Sequence, residues 1–241
     1  GTDPQVLLQT KFQRPRVLPD LIDRPRLKAR LDSGWDRPLI LVAAPAGFGK
    51  STLLSAWLEA CDSPNAWLSL DAHDNDLGVF LAYFLGAVRT IFPNALTATQ
   101  ALLSGVSLPP VTVIARSLLN ELDELERDFV LVLDDYHLIS EQSVDELLSA
   151  LLQHPPKRMH LVLATRQDPP LPLGLLRARA QITEIRGPDL RFSEPEIAQF
   201  MEQTLGASLT DEAIAVLAEK TEGWAVGLRL ATLTLRYSGE I

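Results

Sequence analysis

The chemistry legible in this chain is concentrated in a few short segments. Ala44 to Thr52 reads Ala-Pro-Ala-Gly-Phe-Gly-Lys-Ser-Thr and follows the apolar run Leu39–Ala43, so a strand is expected to feed a glycine-bearing loop that opens a helix. Such a loop turns consecutive backbone amides toward one point, and with the positive end of the following helix it forms a concavity for anionic oxygens. The spacing predicts a phosphate cradle made of Ala46, Gly47, Phe48, Gly49, Lys50, Ser51 and Thr52. Glycine permits close backbone approach, Lys50 can reach the terminal phosphates, and Ser51 offers a hydroxyl to magnesium. The full pattern has a glycine five residues before the Gly-Lys pair; Ala44 stands there instead. A glycine-rich turn made for packing alone is the plainer alternative, and the Lys-Ser pair in register weighs against it.

The run Phe129-Val-Leu-Val-Leu-Asp134-Asp135 is a hydrophobic strand ending in two carboxylates. Beside a phosphate cradle, the first acid of such a pair holds magnesium and the second polarises an attacking water. Ser51 and Asp134 are therefore the expected magnesium ligands and Asp135 the expected base. On an extended segment adjacent side chains point to opposite faces, so the two acids should not share one task. An Asp-Asp turn capping the next element is the alternative. One strand-like run, Ala66–Leu70, intervenes between cradle and carboxylates, and a later strand ends at Thr165-Arg166. This order resembles nucleotidases of the additional-strand type, in which the later strand inserts between the carboxylate strand and the cradle strand. The resemblance would set Arg166 beside a γ-phosphate, where a permanently charged planar donor reports the third phosphate. A surface ion pair is its alternative role. Lys50, Asp134, Asp135 and Arg166 form the expected catalytic set.

These residues need a frame. Strand-like runs at Leu39–Ala43, Ala66–Leu70, Phe129–Asp134, Met159–Thr165 and Ile182–Ile185 alternate with helical patterns at Lys50–Ala60, Leu77–Ile91, Val111–Glu126, Val144–Leu152 and Leu173–Ala180. That alternation predicts an α/β fold, a five-stranded parallel sheet with helices on both faces. After Gly187 no strand is evident. Ser193 and Glu196 predict a capping box, Thr210 a second helix start, and a third helix runs from about Trp224 to Arg236. The expected organisation is an N-terminal strap over residues 1–36, a nucleotide-binding domain over 37–188 and a small all-α helical domain over 189–241 that reads as a fragment.

With 46% apolar and 22% charged residues in 241, the chain can bury a sizeable core. Its net charge of −9 argues against gripping nucleic acid unaided. Seven basic residues between Lys11 and Arg30 run against that balance, and the prolines there suggest an extended, solvated strap or a helix face. The apolar stretch Leu77–Val88 stops at Arg89, short of the roughly 20 residues of a membrane span, and no secretory leader opens the sequence; no membrane partner and a cytoplasmic location are expected. Cys61 is the single cysteine and fits a small apolar side chain.

Seven collinear blocks carry a family resemblance: LIDRPRL (Leu21–Leu27), APAGFGKSTL, AWLSLDAHDND (Ala66–Asp76), LVLDDYH (Leu131–His137), LVLATRQDPPLPL (Leu161–Leu173), LRFSEPE (Leu190–Glu196) and KTEGWAVGLRLA (Lys220–Ala231). In that order they resemble the signal-transduction ATPases with numerous domains, within them the large ATP-binding LuxR-type, MalT-like transcriptional regulators. The resemblance implies ATP or ADP with magnesium as cofactors, self-association in the ATP state, and a sensor domain for an inducer and a DNA-binding domain elsewhere in the full protein. It makes Leu21, Ile22 and Arg24 base-pocket candidates. The block around Gly223, Trp224 and Gly227 is similar to the motif that closes the helical domain over the base, which adds Trp224, although Ala225 stands where relatives carry proline.

Asp71, Asp74, Asp76 and His73 are expected to supply helix caps rather than a metal site, with Asp76 the cap of the following helix. Arg177 and Arg179 are either solvated or reach a phosphate or neighbouring subunit. His137 and His154 have no ligand partners at metal spacing. Three functions stay open: a nucleotide switch with slow hydrolysis, a turnover ATPase or kinase, and an interaction module built around trapped ADP.

Overall fold

The computed structural model describes residues 7–17 and 21–238, so parts of the expected strap (1–6 and 18–20) and the end of the expected helical domain (239–241) lie outside the described residues. Along the chain, α1 (Pro25–Asp32) precedes β1 (Leu39–Ala43), and α2 (Lys50–Glu59) leads to β2 (Asn65–Ser69). Next, α3 (Leu77–Arg89), α4 (Thr97–Leu103) and α5 (Val111–Asp123) lead to β3 (Phe129–Asp134), α6 (Gln142–Gln153) to β4 (Met159–Thr165), and α7 (Leu173–Ala178) to β5 (Ile182–Arg186). The short α8 (Gly187–Leu190) joins these to α9 (Glu194–Leu205), α10 (Asp211–Thr221) and α11 (Ala225–Ser238).

The five strands are parallel, in the order β2-β3-β4-β1-β5. Because side chains alternate along a strand, each strand feeds two cores. Leu39, Leu41, Leu131 and Leu133 pack with Phe80 and Phe84 of α3, Leu118 of α5 and Leu147 of α6; Ile40, Val42, Val130 and Val132 pack with Leu27 and Leu31 of α1 and with Leu54 and Trp57 of α2. Burial on both faces is why the strands read as continuous apolar runs. β4 lies between β3 and β1, as the additional-strand order requires, so the C-terminal ends of all three open on one rim. Chain direction across the sheet reverses at β1, the place where open α/β sheets bind ligands.

A third core belongs to the helices after β5: Ile197, Phe200, Met201, Ile214 and Leu228 close around Ile22, which comes from the strap. Its helices start where expected. The Glu196 carboxylate accepts from the Ser193 N–H at 2.8 Å, and the Thr210 hydroxyl accepts from Ala213 N at 3.3 Å. Asp76 accepts from Val79 N at 2.9 Å to cap α3, and no group of His, Cys, Asp and Glu among the described residues could hold a metal ion on its own.

The basic N-terminal stretch departs from a solvated strap. Pro25 fixes the first turn of α1 rather than extending the chain, since its ring presets helical φ and its missing N–H is not needed there. Lys11 is buried and bonds both Asp74 oxygens at 2.7 Å and Asp71 at 2.9 Å, so carboxylates distant in sequence replace water around the ammonium. Burial works against the Lys11 charge, but those carboxylates outweigh it and hold its pKa above the ordinary value. α4 was not expected, and β2 begins one residue before the expected start. No helix among the described residues is long and apolar enough to cross a membrane.

Candidate functional site

The loop between β1 and α2 turns through two left-handed residues, Gly47 (φ +80°) and Gly49 (φ +78°), a conformation in which glycine alone avoids Cβ strain. Ala44, in the place of a third glycine, is not among the positive-φ residues; it is buried, and its N–H donates to Thr165 O at 3.2 Å. The position asks for a small side chain and not for a special backbone.

Lys50 opens α2 and folds back over its loop, with Nζ 2.7 Å from Ala44 O and 3.0 Å from Pro45 O. Burial, assisted by the nearby Arg166 cation, pulls the ammonium below its ordinary pKa against the pull of Asp134 and Asp135. The Ser51 hydroxyl donates to Asp134 Oδ1 at 3.1 Å, and the same oxygen accepts from Asp135 N at 3.0 Å. Asp134 is 5% exposed, and burial pushes its pKa above the usual carboxylate range. Ser51 and Asp134 therefore present two hard oxygens side by side, a donor set that fits magnesium, which takes few protein ligands and fills its shell with water and phosphate.

Asp135 corrects one expectation. It is not the next residue of an extended strand: its φ of 58° ends β3 and starts a 3-10 turn over Tyr136–Leu138, so the turn rather than strand alternation separates it from Asp134. Arg166 leaves β4 as an exposed residue on the rim between β3 and β1. Arg177 pairs with Glu184 and Asp168, and Arg186 with the same two acids, which ties the segment after Arg166 to β5.

Next to the cradle lies a cleft of about 780 Å³ whose lining includes Leu21, Ile22 and Arg24, then Gly47, Phe48, Gly49 and Thr52, and on the far side Phe192, Phe200 and Val226. Lys50, Ser51, Asp134, Asp135 and Arg166 do not line it, so the site has two ends. Ala46 is exposed on the loop outside the cleft. Arg24 lines it but spends its guanidinium elsewhere: it donates to Leu190 O at 2.8 Å, Arg191 O at 2.7 Å and Glu196 at 3.2 and 3.3 Å, and lies 4.3 Å from the Phe192 ring. Burial alone would raise the Glu196 carboxyl; the Ser193 N–H and Arg24 together outweigh it and hold the group below its ordinary range. Trp224 is not in the lining. It sits over the loop, its ring centroid 6.2 Å from that of Phe48, and a Cβ on Gly47 would come 2.8 Å from Val226 and 3.0 Å from Trp224. Phe192, Phe200 and Val226 were not anticipated in the site; in sequence they look like ordinary core residues, and only the LRFSEPE and GWAVG blocks mark their neighbourhoods.

Residues 24–164 match the family model of the AAA ATPase domain, which takes in the cradle, the paired acids and four of the five strands. This chain belongs to that family. It is 32% identical over 231 residues to the HTH-type transcriptional regulator MalT of Klebsiella pneumoniae subsp. pneumoniae, covering 96% of this chain and 26% of the regulator. It is 33% identical to MalT of Serratia proteamaculans over 97% of this chain and 26% of that protein. The chain thus spans about a quarter of the length of the curated relatives it matches. A signal-transduction ATPase with numerous domains from Pyrococcus horikoshii, bearing a tetratricopeptide repeat sensor, has the same fold at 15% identity, with a TM-score of 0.65 over 95% of this chain and 31% of that one. An AAA ATPase domain with this fold implies a site for a nucleotide.

Proposed function

We propose that this chain is the ATP-driven switch of a MalT-type transcriptional regulator: it binds Mg·ATP or ADP, hydrolyses ATP slowly, self-associates in the ATP state, and works in the cytoplasm. Binding to DNA and to an inducer would belong to parts of the protein outside these 241 residues, in line with the relatives' name as HTH-type regulators. The domain boundaries near residues 36 and 188 are part of this reading.

One observation carries it. The start of α11 rests on the phosphate loop, with Val226 and Trp224 against Gly47. A loop that must reshape itself around a triphosphate cannot do so without moving, or being restrained by, the helical module. A switch needs that coupling, because a ligand shifts an equilibrium only by its differential affinity for the two arrangements. Lys50 and Arg166 are the residues that would meet the phosphate by which ATP and ADP differ. Ser51 and Asp134 would hold magnesium, which when bound neutralises phosphate charge, and Asp135 would take the proton of the attacking water. Leu21, Ile22 and Thr52 would flank the base and sugar, Ala46, Gly47, Phe48 and Gly49 the phosphates, and Arg24 and Trp224 would hold the walls in place.

Calorimetric titration of the nucleotide-stripped chain with Mg·ATP and Mg·ADP, followed by phosphate-release assays, tests the reading. Both nucleotides should bind and turnover should be slow. Lys50→Ala should weaken binding roughly 10- to 100-fold, the scale of a lost charge-assisted contact of about 1.5–3 kcal/mol. Asp135→Ala should keep binding and lose hydrolysis. Rapid multiple turnovers would point to an independent ATPase, and no binding heat for a folded sample would end the proposal.

A further inference from the structure

The N-terminal segment joins two helices that lie on opposite faces of the sheet. Its 3-10 turn, Gln9–Phe12, packs beside β2, the strand at one edge of the sheet. On one face, Leu7 and Phe12 lie against Gly86 of α3, where a Cβ would come 2.8 and 2.7 Å from them. On the other, the buried Ser55 hydroxyl of α2 donates to Pro15 O. The segment thus rounds the edge of the sheet and ends on the helix that Lys50 and Ser51 open.

Lys11 fastens it. The ammonium bonds both oxygens of Asp74, a carboxylate with no exposure, and one of Asp71, and lies 4.3 Å from the centre of the Tyr83 ring. Breaking a buried pair costs far more than forming it gains, so such a pair fixes a position more than it adds stability. The turn that receives Lys11 is itself held, since Asn75 donates to Leu138 O at 2.7 Å and accepts from Ser140 N at 2.6 Å.

What these contacts anchor is one wall of the cleft. Arg16 and Val17 line the cleft directly after Pro15, and Leu21 and Ile22 line it further along; neither pair belongs to a helix or a strand. A wall without a ladder of its own takes its position from its ends. Those ends are Lys11 and Pro15 on the sheet domain and Ile22 in the core of the helical module. Segments with few buried contacts of their own open most readily, so the anchors decide when this wall lifts.

Resting on the reading of the cleft as the base end of a nucleotide site, we propose that residues 7–17 are a clasp on the bound nucleotide, with Lys11 the positioning residue that holds it shut. The clasp sets how fast nucleotide leaves and takes no part in hydrolysis. Fastened, it keeps the wall over the base; detached from α2 and α3, it lets the wall lift and the nucleotide exchange.

The test loosens the clasp at three separate points, with Lys11→Met, Ser55→Ala and Gly86→Leu in the 241-residue chain. Release of radiolabelled ADP chased by unlabelled ADP is measured apart from single-turnover phosphate release. Lys11→Met leaves Asp74 buried without its cation and should speed ADP release by at least roughly 10-fold. Ser55→Ala removes one hydrogen bond and should speed it roughly 2- to 10-fold. Gly86→Leu keeps a good helix former in α3 but fills the space of Phe12 and Leu7, and should also speed release. Hydrolysis of bound ATP should stay within about twofold of the parent in all three.

Release at the parent rate in all three variants overturns the proposal, whatever happens to their melting temperatures. So does a loss of hydrolysis in step with faster release, because the segment would then support the whole site rather than its exit. Should Lys11→Met fail to fold, Ser55→Ala decides by the same criterion, since alanine is at home in α2. A folded parent that binds neither ATP nor ADP overturns the reading of the site, and the clasp falls with it. A parent that binds while its variants release no faster overturns the clasp alone.

Discussion

At the phosphate end the anchoring contacts are short-range or join elements that meet on one rim of the sheet: Lys50 bonds carbonyls five and six residues back, and Ser51 at the start of α2 meets Asp134 at the end of β3. At the base end the contacts join segments 166 to 172 residues apart, Arg24 to Leu190, Arg191 and Glu196, with Ile22 inserted into the core of the helical module. The first end is set by the sheet that carries it. The second exists only while the strap and the helical module are docked, and docking must overcome the entropy of bringing distant segments together. A ligand that spans both ends meets one rigid half and one half that can separate, which is the asymmetry a two-state device needs.

Breaking the base end should therefore give the largest effect. Arg24→Met removes the cation from a buried pair and leaves two carbonyls and Glu196 without it, a loss of about 3 kcal/mol on the scale of broken buried pairs. Differential scanning calorimetry should show the helical module melting ahead of the sheet domain. A single transition at the parent temperature would mean that Arg24 is not what joins them.

A smaller loss is expected where the two ends touch. Gly47→Ala and Gly49→Ala both place a Cβ at positive φ, a strain of roughly 1–2 kcal/mol each. Only at position 47 does the new atom collide, with Val226 and Trp224, whereas at 49 nothing lies within 4 Å. Gly47→Ala should lower the melting temperature of the helical module by more than Gly49→Ala does. Equal losses would show that the loop and α11 are neighbours without coupling.

The same asymmetry explains what could be read in the sequence. All five strands were legible because burial on both faces turns a strand into an apolar run, and the cradle was legible because its chemistry lies within nine consecutive residues. α4 was not: its N-cap position is Leu96, in the left-handed region, and the free amides of Ala98 and Thr99 are capped by Glu121 of α5, a partner more than twenty residues away. For the same reason Lys11 gave no sign of burial, since Asp74 lies 63 residues on. Phe192 and Phe200 are apolar wherever they fall, so pattern alone cannot separate a cleft wall from a core.

The smallest effect should come from the rigid end, and it has a sign. Burial raises the Asp134 carboxyl above its ordinary value, so the folded chain holds that proton at pH values where the unfolded chain has released it. Stability then falls as pH climbs from the unfolded to the folded pKa, and the cost is fully present above the folded value. Asp134→Asn removes the charge while its side-chain oxygen can still accept from Ser51 and Asp135 N. The nucleotide-free variant should melt about 1–2 °C above the parent at pH 7, the scale on which roughly half a kcal/mol registers in a chain this long. That gain should shrink to nothing as pH drops below the ordinary carboxylate pKa, and Mg·ATP should stabilise the variant less than it does the parent. A variant that melts lower than the parent at pH 7 would mean that the carboxylate is stabilised where it sits, and that the phosphate end carries no stored cost for a cation to relieve.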